Sequence, residues 1–369
     1  MNLLSLAKEV ALLAGYTITG TDAQSVADKA KALRRINGIR ADIVSRFSGR
    51  WASLYREGWL PLVAVYSTGT VAVTVDSRTV TGSSTVWTSA MVGRKFLGPD
   101  NMYYKIAAVA SNTSLTLTEP YQSATVASGG AYQIWKDEYT LYPDVFSLID
   151  FVNYIEPNQM REYTNKQSRS LQPRPTANET PRYYQIIGRK NLANYSTGTI
   201  SGTINTRTIT GSGTSWIDNL LPGSKILVTV SNTEYCYHVD TVDSDTQVTV
   251  REYVAATISA GTSYTGRSHN ALVVKFLNPS SQTMVNYAYY SKVYPLVSDN
   301  DEDWLLELYP HLVINGVLQW DYLDKNDPVR ASQAAQLFEN QLHNAHVSDS
   351  GQFGGTVTIG LDIPDTARE

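Results

Sequence analysis

The chain has 369 residues, too many for one small core and suited to two to four domains. It carries 30 Lys and Arg against 34 Asp and Glu, a net −4, so its total charge implies no general affinity for nucleic acid or an anionic membrane. The single cysteine, Cys236, excludes an internal disulfide framework and a cysteine-based zinc site, and no apolar run approaches the length of a membrane span.

Leu3, Leu6, Val10 and Leu13 fall at helical spacing, while Lys8 and Glu9 interrupt the apolar run. The spacing predicts an amphipathic helix in a cytosol-made protein rather than a signal peptide. A second helical pattern starts near Thr21 or Asp22 as N-cap and places Val26, Ala30, Leu33, Ile36, Ile43 and Phe47 on one stripe. It is expected to run, as one helix or a pair, to about Leu60, where Pro61 stops it. Residues 22–57 hold eight Lys or Arg against four acids, so this segment is +4 in a −4 protein. Such a stretch is either a solvated helix face or a face turned toward something acidic, and Arg34, Arg35, Arg40 and Arg46 are the candidate contacts.

The most informative stretch occurs twice. Residues 69–87 read GTVAVTVDSRTVTGSSTVW and residues 198–216 read GTISGTINTRTITGSGTSW. Gly69 and Gly198, Arg78 and Arg207, Gly82 and Gly211, and Trp87 and Trp216 correspond at a constant offset of 129. The likeness continues with small insertions through VASNTSLTL (109–117) against VDSDTQVTV (242–250) and ends at Tyr132 against Tyr264. Short alternating runs of Thr, Val, Ser and Gly predict strands with one buried face, hence two small closed all-β modules. Two separated copies do not make a solenoid. They read as similar modules set into a different host. Cys236 is expected to pack as a small apolar residue of the second.

Between the modules, Tyr139 and Leu141, then Leu148, Phe151 and Val152, read as strands broken at Pro143, and residues 156–181 as an exposed connection. YYQIIG (183–188) and ALVVKF (271–276) become the two arms of one hairpin once the second module is excised. A strand over 283–296 follows. Residues 298–324 predict a helix capped by Ser298 or Asp301, and Asp327-Pro328 restarts a second one through Ala331, Ala335, Phe338 and Leu342. Alternating Val357, Ile359, Leu361 and Ile363 in the last residues predict an extended arm that pairs with a sheet edge of another chain.

Catalytic constellations are weak. His343 and His346, with Glu339 as a third ligand, read as an exposed polar face rather than a metal pair. Asp299, Asp301 and Asp303 mimic the opening of a calcium loop, but Trp304 stands where glycine is needed and Pro310 where glutamate is needed. Helix capping explains the acids better. Asp137 and Glu138 do not amount to a glycosidase acid, and Asn178-Glu179-Thr180 is a glycosylation sequon by pattern only. No nucleotide, hydrolase or cofactor fingerprint is present in the sequence, so no cofactor and no enzymatic activity are expected.

The order of parts resembles a known family. DEYTLYPDVFSLID, the hairpin YYQIIG with LVVKFLNP, the strand passage NYAYYSKVYPLVSDNDEDW, and the helices LLELYPHLVINGVLQWDYL and ASQAAQLFENQL look like the head-to-tail adaptor proteins of tailed bacteriophages. The two GTVxVTxxSRTVTGSxTxW-type units look like small β-barrel insertions found in phage structural proteins, and the smallest adaptors lack them. The resemblance implies an α+β chain whose terminal helices form one bundle, with a central antiparallel β-domain and the two barrels inserted. The expected parts are 1–62 (bundle), 63–136 (first barrel), 137–192 (central β-domain), 193–267 (second barrel), 268–300 (central β-domain), 301–347 (bundle) and 348–369 (arm). It further implies a virion protein of the head-to-tail junction, usually twelve copies in a ring. The ring would bind the portal and a downstream tail or nozzle protein and let DNA pass without reading it. Phe353, Val357, Ile359, Leu361 and Ile363 would then contact the portal or a neighbour, and the basic helix would face the portal or the lumen. Low charge content (17%) and 24 tyrosines fit a subunit that buries much of its surface against copies of itself. The competing reading is a receptor- or carbohydrate-binding tail protein in which Trp87 or Trp216 stacks on a sugar.

Overall fold

The computed structural model describes residues 1–47, 49–153, 160–164, 181–276 and 284–352. The protein is mixed α+β, with six α-helices among the described residues and several predominantly antiparallel sheets. The helices are α1 (Leu3–Ala14), α2 (Ala23–Arg46), α3 (Trp216–Asn219), α4 (Trp304–Leu308), α5 (Pro310–Asp324) and α6 (Pro328–Gln352). The chain divides into two compact units. One comprises Met1–Arg56, Ala193–Ser268 and the chain from Tyr290 onward; the other comprises Glu57–Leu192 and His269–Tyr289.

In the first unit, helices from both ends of the chain share one core. Leu3, Leu6 and Val10 of α1, Ile36, Ile39 and Ile43 of α2, Leu305 of α4, Leu312 and Val317 of α5, and Phe338 and Leu342 of α6 form a single cluster. Gly316 of α5 permits a close crossing, since a β-carbon there would stand 2.6 Å from Ile39 Cγ2. The Asn2 side chain caps α1 by accepting from Ser5 N at 2.9 Å, and Asp22 caps α2 by accepting from Ser25 N.

Three local expectations are corrected here. The second helix ends at Arg46 instead of continuing to about Leu60, and Tyr55–Pro61 is a strand. Phe47 leaves helical geometry, Gly49 takes φ +71°, and the Ala52 and Ser53 amides donate to the buried Asp349 carboxylate instead of to helical carbonyls. The buried stripe of α2 is also rotated: Val26 and Ala30 are exposed, and Ala32, Ile36, Ile39, Arg40, Ile43 and Val44 are buried. Finally, the helix expected over 298–324 is two helices, because Pro310 has no N–H to give and starts a new one. Its cap is Asp303, accepting from Leu306 N at 3.0 Å, rather than Ser298 or Asp301.

The inserted segment of this first unit, Ala193–Ser268, forms a seven-stranded curled sheet. Its order is 258–262, 199–202, 208–212, 247–250, 233–244, 225–230 and 264–267. Its core holds Ile200, Ile209, Trp216, Ile226, Val239, Val248 and Tyr264. Cys236 lies half-buried in its longest strand, and burial pushes the thiol pKa up.

The second unit contains the twin of that sheet, in the order 126–130, 70–73, 79–83, 114–117, 103–111, 95–97 and 133–135. The matching core holds Val71, Val80, Trp87, Phe96, Ile106, Leu115 and Tyr132. Two smaller sheets complete the unit: one orders Tyr55–Pro61, Met284–Ser291 and Val145–Asn153, the other Arg161–Glu162, Tyr183–Lys190, Ala271–Phe276 and Glu138–Thr140. They close over Tyr139, Phe151, Tyr184, Val274, Phe276 and Tyr287. The arms 183–190 and 271–276 pair antiparallel from Tyr184↔Phe276 to Lys190↔Ala271, with an irregularity at Gly188, so the hairpin expected from the sequence is present on either side of the insertion.

Candidate functional site

The duplicated motif builds the same interior twice. In one module Trp87 Nε1 donates to Tyr132 Oη at 3.1 Å; in the other Trp216 Nε1 donates to Tyr264 Oη at 2.8 Å. Each phenol donates onward to a carbonyl, of Thr68 or of Thr197. Gly82 and Gly211 leave room for the indoles: a β-carbon at either would lie 2.9 or 2.8 Å from the tryptophan Cη2. Both tryptophans are buried, with indole N–H groups satisfied inside, so neither presents a face on which a sugar could stack. Burial pushes the Tyr264 phenol up to about 12 and raises Tyr132 likewise.

The basic helix finds its acidic counterpart within its own unit. Lys29 meets Asp299 at 2.7 Å, Lys31 meets Asp324 at 2.7 Å, Arg35 pairs with Asp321 and Asp324, and Arg46 bonds Asp42 at 3.0 Å and Glu339 at 2.6 Å. Arg40 is buried, with its Nε 2.9 Å from Asp303 and Nη1 on the Asn37 side chain and the Tyr294 carbonyl. Enclosed in this way, Arg40 has no face left for an outside surface. Of the four arginines singled out, only Arg34 is exposed with no ion-pair partner among the described residues. Arg34, Gly38, Asp42 and Arg46 of α2 with Gln319 and Trp320 of α5 outline an open groove of about 610 Å³. Trp320 is 52% exposed there.

The three aspartates have three separate uses. Asp299 pairs with Lys29, Asp303 caps α4 and holds Arg40, and Asp301 is 1% exposed and accepts from the amides of Val297 and Ser298 at 2.7 Å and of Tyr253 at 2.8 Å. The last bond ties the inserted sheet to the helical part of its unit. Asn300 bonding Asn205 at 2.8 Å, and Tyr294 packed against His238 with ring centroids 4.0 Å apart and Arg251 over its ring, extend that joint. His238 is itself held by Glu252, which also accepts from the His238 amide at 2.8 Å. A cavity of about 230 Å³ lies at the joint, bordered by Arg40, Arg56, Arg207, Arg251 and Trp304.

The exposed polar face expected of His343 and His346 is corrected at His346, which is half-buried. Its ring stacks on Phe47 at 3.8 Å and packs edge-on against Trp51, and burial pushes its pKa down, while His343 stays exposed. Among the described residues no three His, Cys, Asp or Glu side chains gather as a metal site. Asp137 is buried beside Lys275 at 3.8 Å, and burial raises its pKa. The arm residues Phe353, Val357, Ile359, Leu361 and Ile363, and the sequon at Asn178, lie outside the described residues. The joint made by Asp301, Asp303, His238 and Glu252 was not apparent from the sequence reading, and its one traceable signal is the acid-rich run 299–303 set against the basic run 29–40.

Comparison of the chain with known protein families and with curated proteins finds no match.

Proposed function

We propose that this chain is a structural, non-enzymatic subunit of a bacteriophage virion. In this reading a ring of copies joins the portal of the head to the tail, and DNA passes through its channel unread. The observation that carries the reading is the single core built by helices from the two ends of the chain, Leu3 and Ile36 on one side and Leu312 and Phe338 on the other. That is the body expected of a head-to-tail adaptor: a bundle made by the termini, with the central β-domain and the two barrel modules carried on the chain between them.

The outer surface of the helices supports it. Leu12 is 79% exposed, Trp320 is half-exposed at the Arg34 groove, and Leu323 and Leu337 are each about half-exposed on α5 and α6, the kind of apolar surface that further copies or a portal would cover. In a ring such contacts are heterologous and close by rotation. The receptor-binding alternative loses its proposed contact residues, since Trp87 and Trp216 are interior.

The test is the mass of the purified chain alone and with a portal, followed by electron microscopy of any assembly. A closed ring, alone or on the portal, is expected. A chain that stays monomeric in both settings, or that turns over a substrate without associating, would overturn the reading.

A further inference from the structure

The two modules share a fold and have opposite charge. Residues 63–136 hold five Lys or Arg against three acids, a net +2, whereas residues 193–267 hold four against six, a net −2. The difference is concentrated at positions that correspond in the two sheets.

In the first module Lys95 and Lys105 stand directly opposite each other on adjacent strands. Like charges placed so are mutually destabilising. Lys105 is exposed and has no ion-pair partner among the described residues, whereas Lys95 is close enough to the buried Asp137 to pull its pKa down against the effect of burial. Nearby, Lys136 lies over the Tyr139 ring at 4.7 Å, and its pKa is lowered by burial and by Arg94 and Lys190. The second module keeps a lysine, Lys225, in place of Lys95 and sets Arg267 opposite it where the first has Trp135, but it replaces the other three cations. His238 replaces Lys105 and hydrogen-bonds Glu252, and Ser224 and Ser268 replace Arg94 and Lys136 and hydrogen-bond each other at 2.6 Å.

The acids are distributed the other way. At the corner beside Trp216 the second module exposes Asp218, Asp243 and Asp245, where the first has Ser89, Ala110 and Asn112. Thr241 and Thr249 donate to Asp243 at 2.7 and 2.8 Å, and Ile217 N donates to Asp245 at 3.1 Å, so the carboxylates are held in place while no Lys or Arg among the described residues pairs with them. One copy of the fold carries a net positive charge, and the other carries a net negative charge with an exposed acidic corner.

We infer that the modules form a contact between copies of this chain, the Lys95–Lys105 face of one copy meeting the Asp243–Asp245 corner of the next. The two patches occupy different places on the shared fold, so the contact is head-to-tail and repeats from copy to copy. The partner's carboxylates relieve the repulsion between Lys95 and Lys105. The inference rests on the reading that copies assemble and not on what the assembly joins.

The test uses the full chain in two variants, Lys95→Glu with Lys105→Glu, and Asp243→Lys with Asp245→Lys. The first leaves both modules acidic and the second leaves both basic. Each alone is expected to associate at least about tenfold more weakly than the parent. An equimolar mixture is expected to recover assembly, because alternating copies restore every contact. Parent assembly should weaken between about 0.1 M and 1 M salt, where the Debye length falls from about 10 Å to about 3 Å. Far-ultraviolet circular dichroism checks that each variant is folded. Asp243→Asn with Asp245→Asn keeps the test open should the lysines disturb the corner, and is expected to weaken assembly less than the reversal.

Variants that assemble like the parent, or a mixture that stays dissociated, overturn the inference while leaving a ring built on other surfaces intact. A parent that is monomeric at every salt concentration, with portal present or absent, sinks both readings. Loss of retention on double-stranded DNA by the Lys95 and Lys105 variant, with assembly unchanged, assigns the cations to nucleic acid and overturns the inference as well.

Discussion

Arg40, in the middle of α2, donates its Nε to Asp303 at 2.9 Å, and Asp303 at the same time caps α4 by accepting from Leu306 N. A guanidinium that is 2% exposed therefore depends on a carboxylate 263 residues later, and the two ends of the chain are joined by charge as well as by apolar packing.

Removing one member leaves the other buried without its partner. Asp303→Asn is expected to destabilise the helical unit by about 3–5 kcal/mol, read from denaturant midpoints, with Arg40→Met costing a similar amount. The double variant Arg40→Met with Asp303→Asn should recover part of the loss, since no unpaired charge remains. A double variant that simply sums the two would mean that the pair is not coupled.

The indole-to-phenol bonds predict that the twin modules weaken by parallel amounts. Tyr132→Phe and Tyr264→Phe each remove an acceptor for a buried indole N–H and a donor to a carbonyl, and each is expected to cost about 1–3 kcal/mol. Gly82→Ala and Gly211→Ala should be destabilising too, because the new methyl meets both a threonine hydroxyl and the indole. Unchanged melting in the phenylalanine variants would remove the bonds from the account of module stability.

Alkaline pH should unfold the second module in a defined window. The Tyr264 phenol is held up to about 12 by burial, whereas in an unfolded chain it ionises near 10. The folded form then retains the proton that the unfolded form gives up, so this contribution is complete below about pH 10 and is lost as pH rises toward 12. Ultraviolet absorption of tyrosinate, followed with tryptophan fluorescence, is expected to show late-titrating phenols released together with Trp216.

Excising the second module and joining Lys190 to Ala271 through Asn-Gly should leave the hairpin intact, because the ladder from Tyr184↔Phe276 to Lys190↔Ala271 already closes there. The loss should fall on the helical unit, where Asp301 loses the Tyr253 amide and Asn300 loses Asn205, by about 1–3 kcal/mol. Amide exchange of 184–190 and the melting of the helices read the two effects separately. Exchange as fast as in an unfolded chain over 184–190 would show that the insertion supports the hairpin.

The sequence was most legible where physics repeats it. The duplicated glycines and tryptophans announced the twin sheets, and Leu3, Leu6 and Val10 announced α1, because the same steric and apolar requirements recur at fixed spacing. It was least legible where a long-range partner overrides local pattern. Arg40 and Asp349 are charged residues that the chain buries only because Asp303 and the Ala52 and Ser53 amides wait for them. No window of neighbouring residues contains that information. For the same reason the basic run of α2 suggested an external acidic surface, while much of its charge is spent on Asp299, Asp321, Asp324 and Glu339.

The rung between Lys190 and Ala271 sets the entrance and exit of the inserted domain side by side, roughly 5 Å apart as in any antiparallel ladder. A socket of that kind accepts any cargo whose own termini lie equally close without disturbing the hairpin, although a new cargo would have to replace the Tyr253 and Asn205 bonds to Asp301 and Asn300. Genetic exchange at such a port can swap one cassette for another while the register of the two flanking strands stays the same.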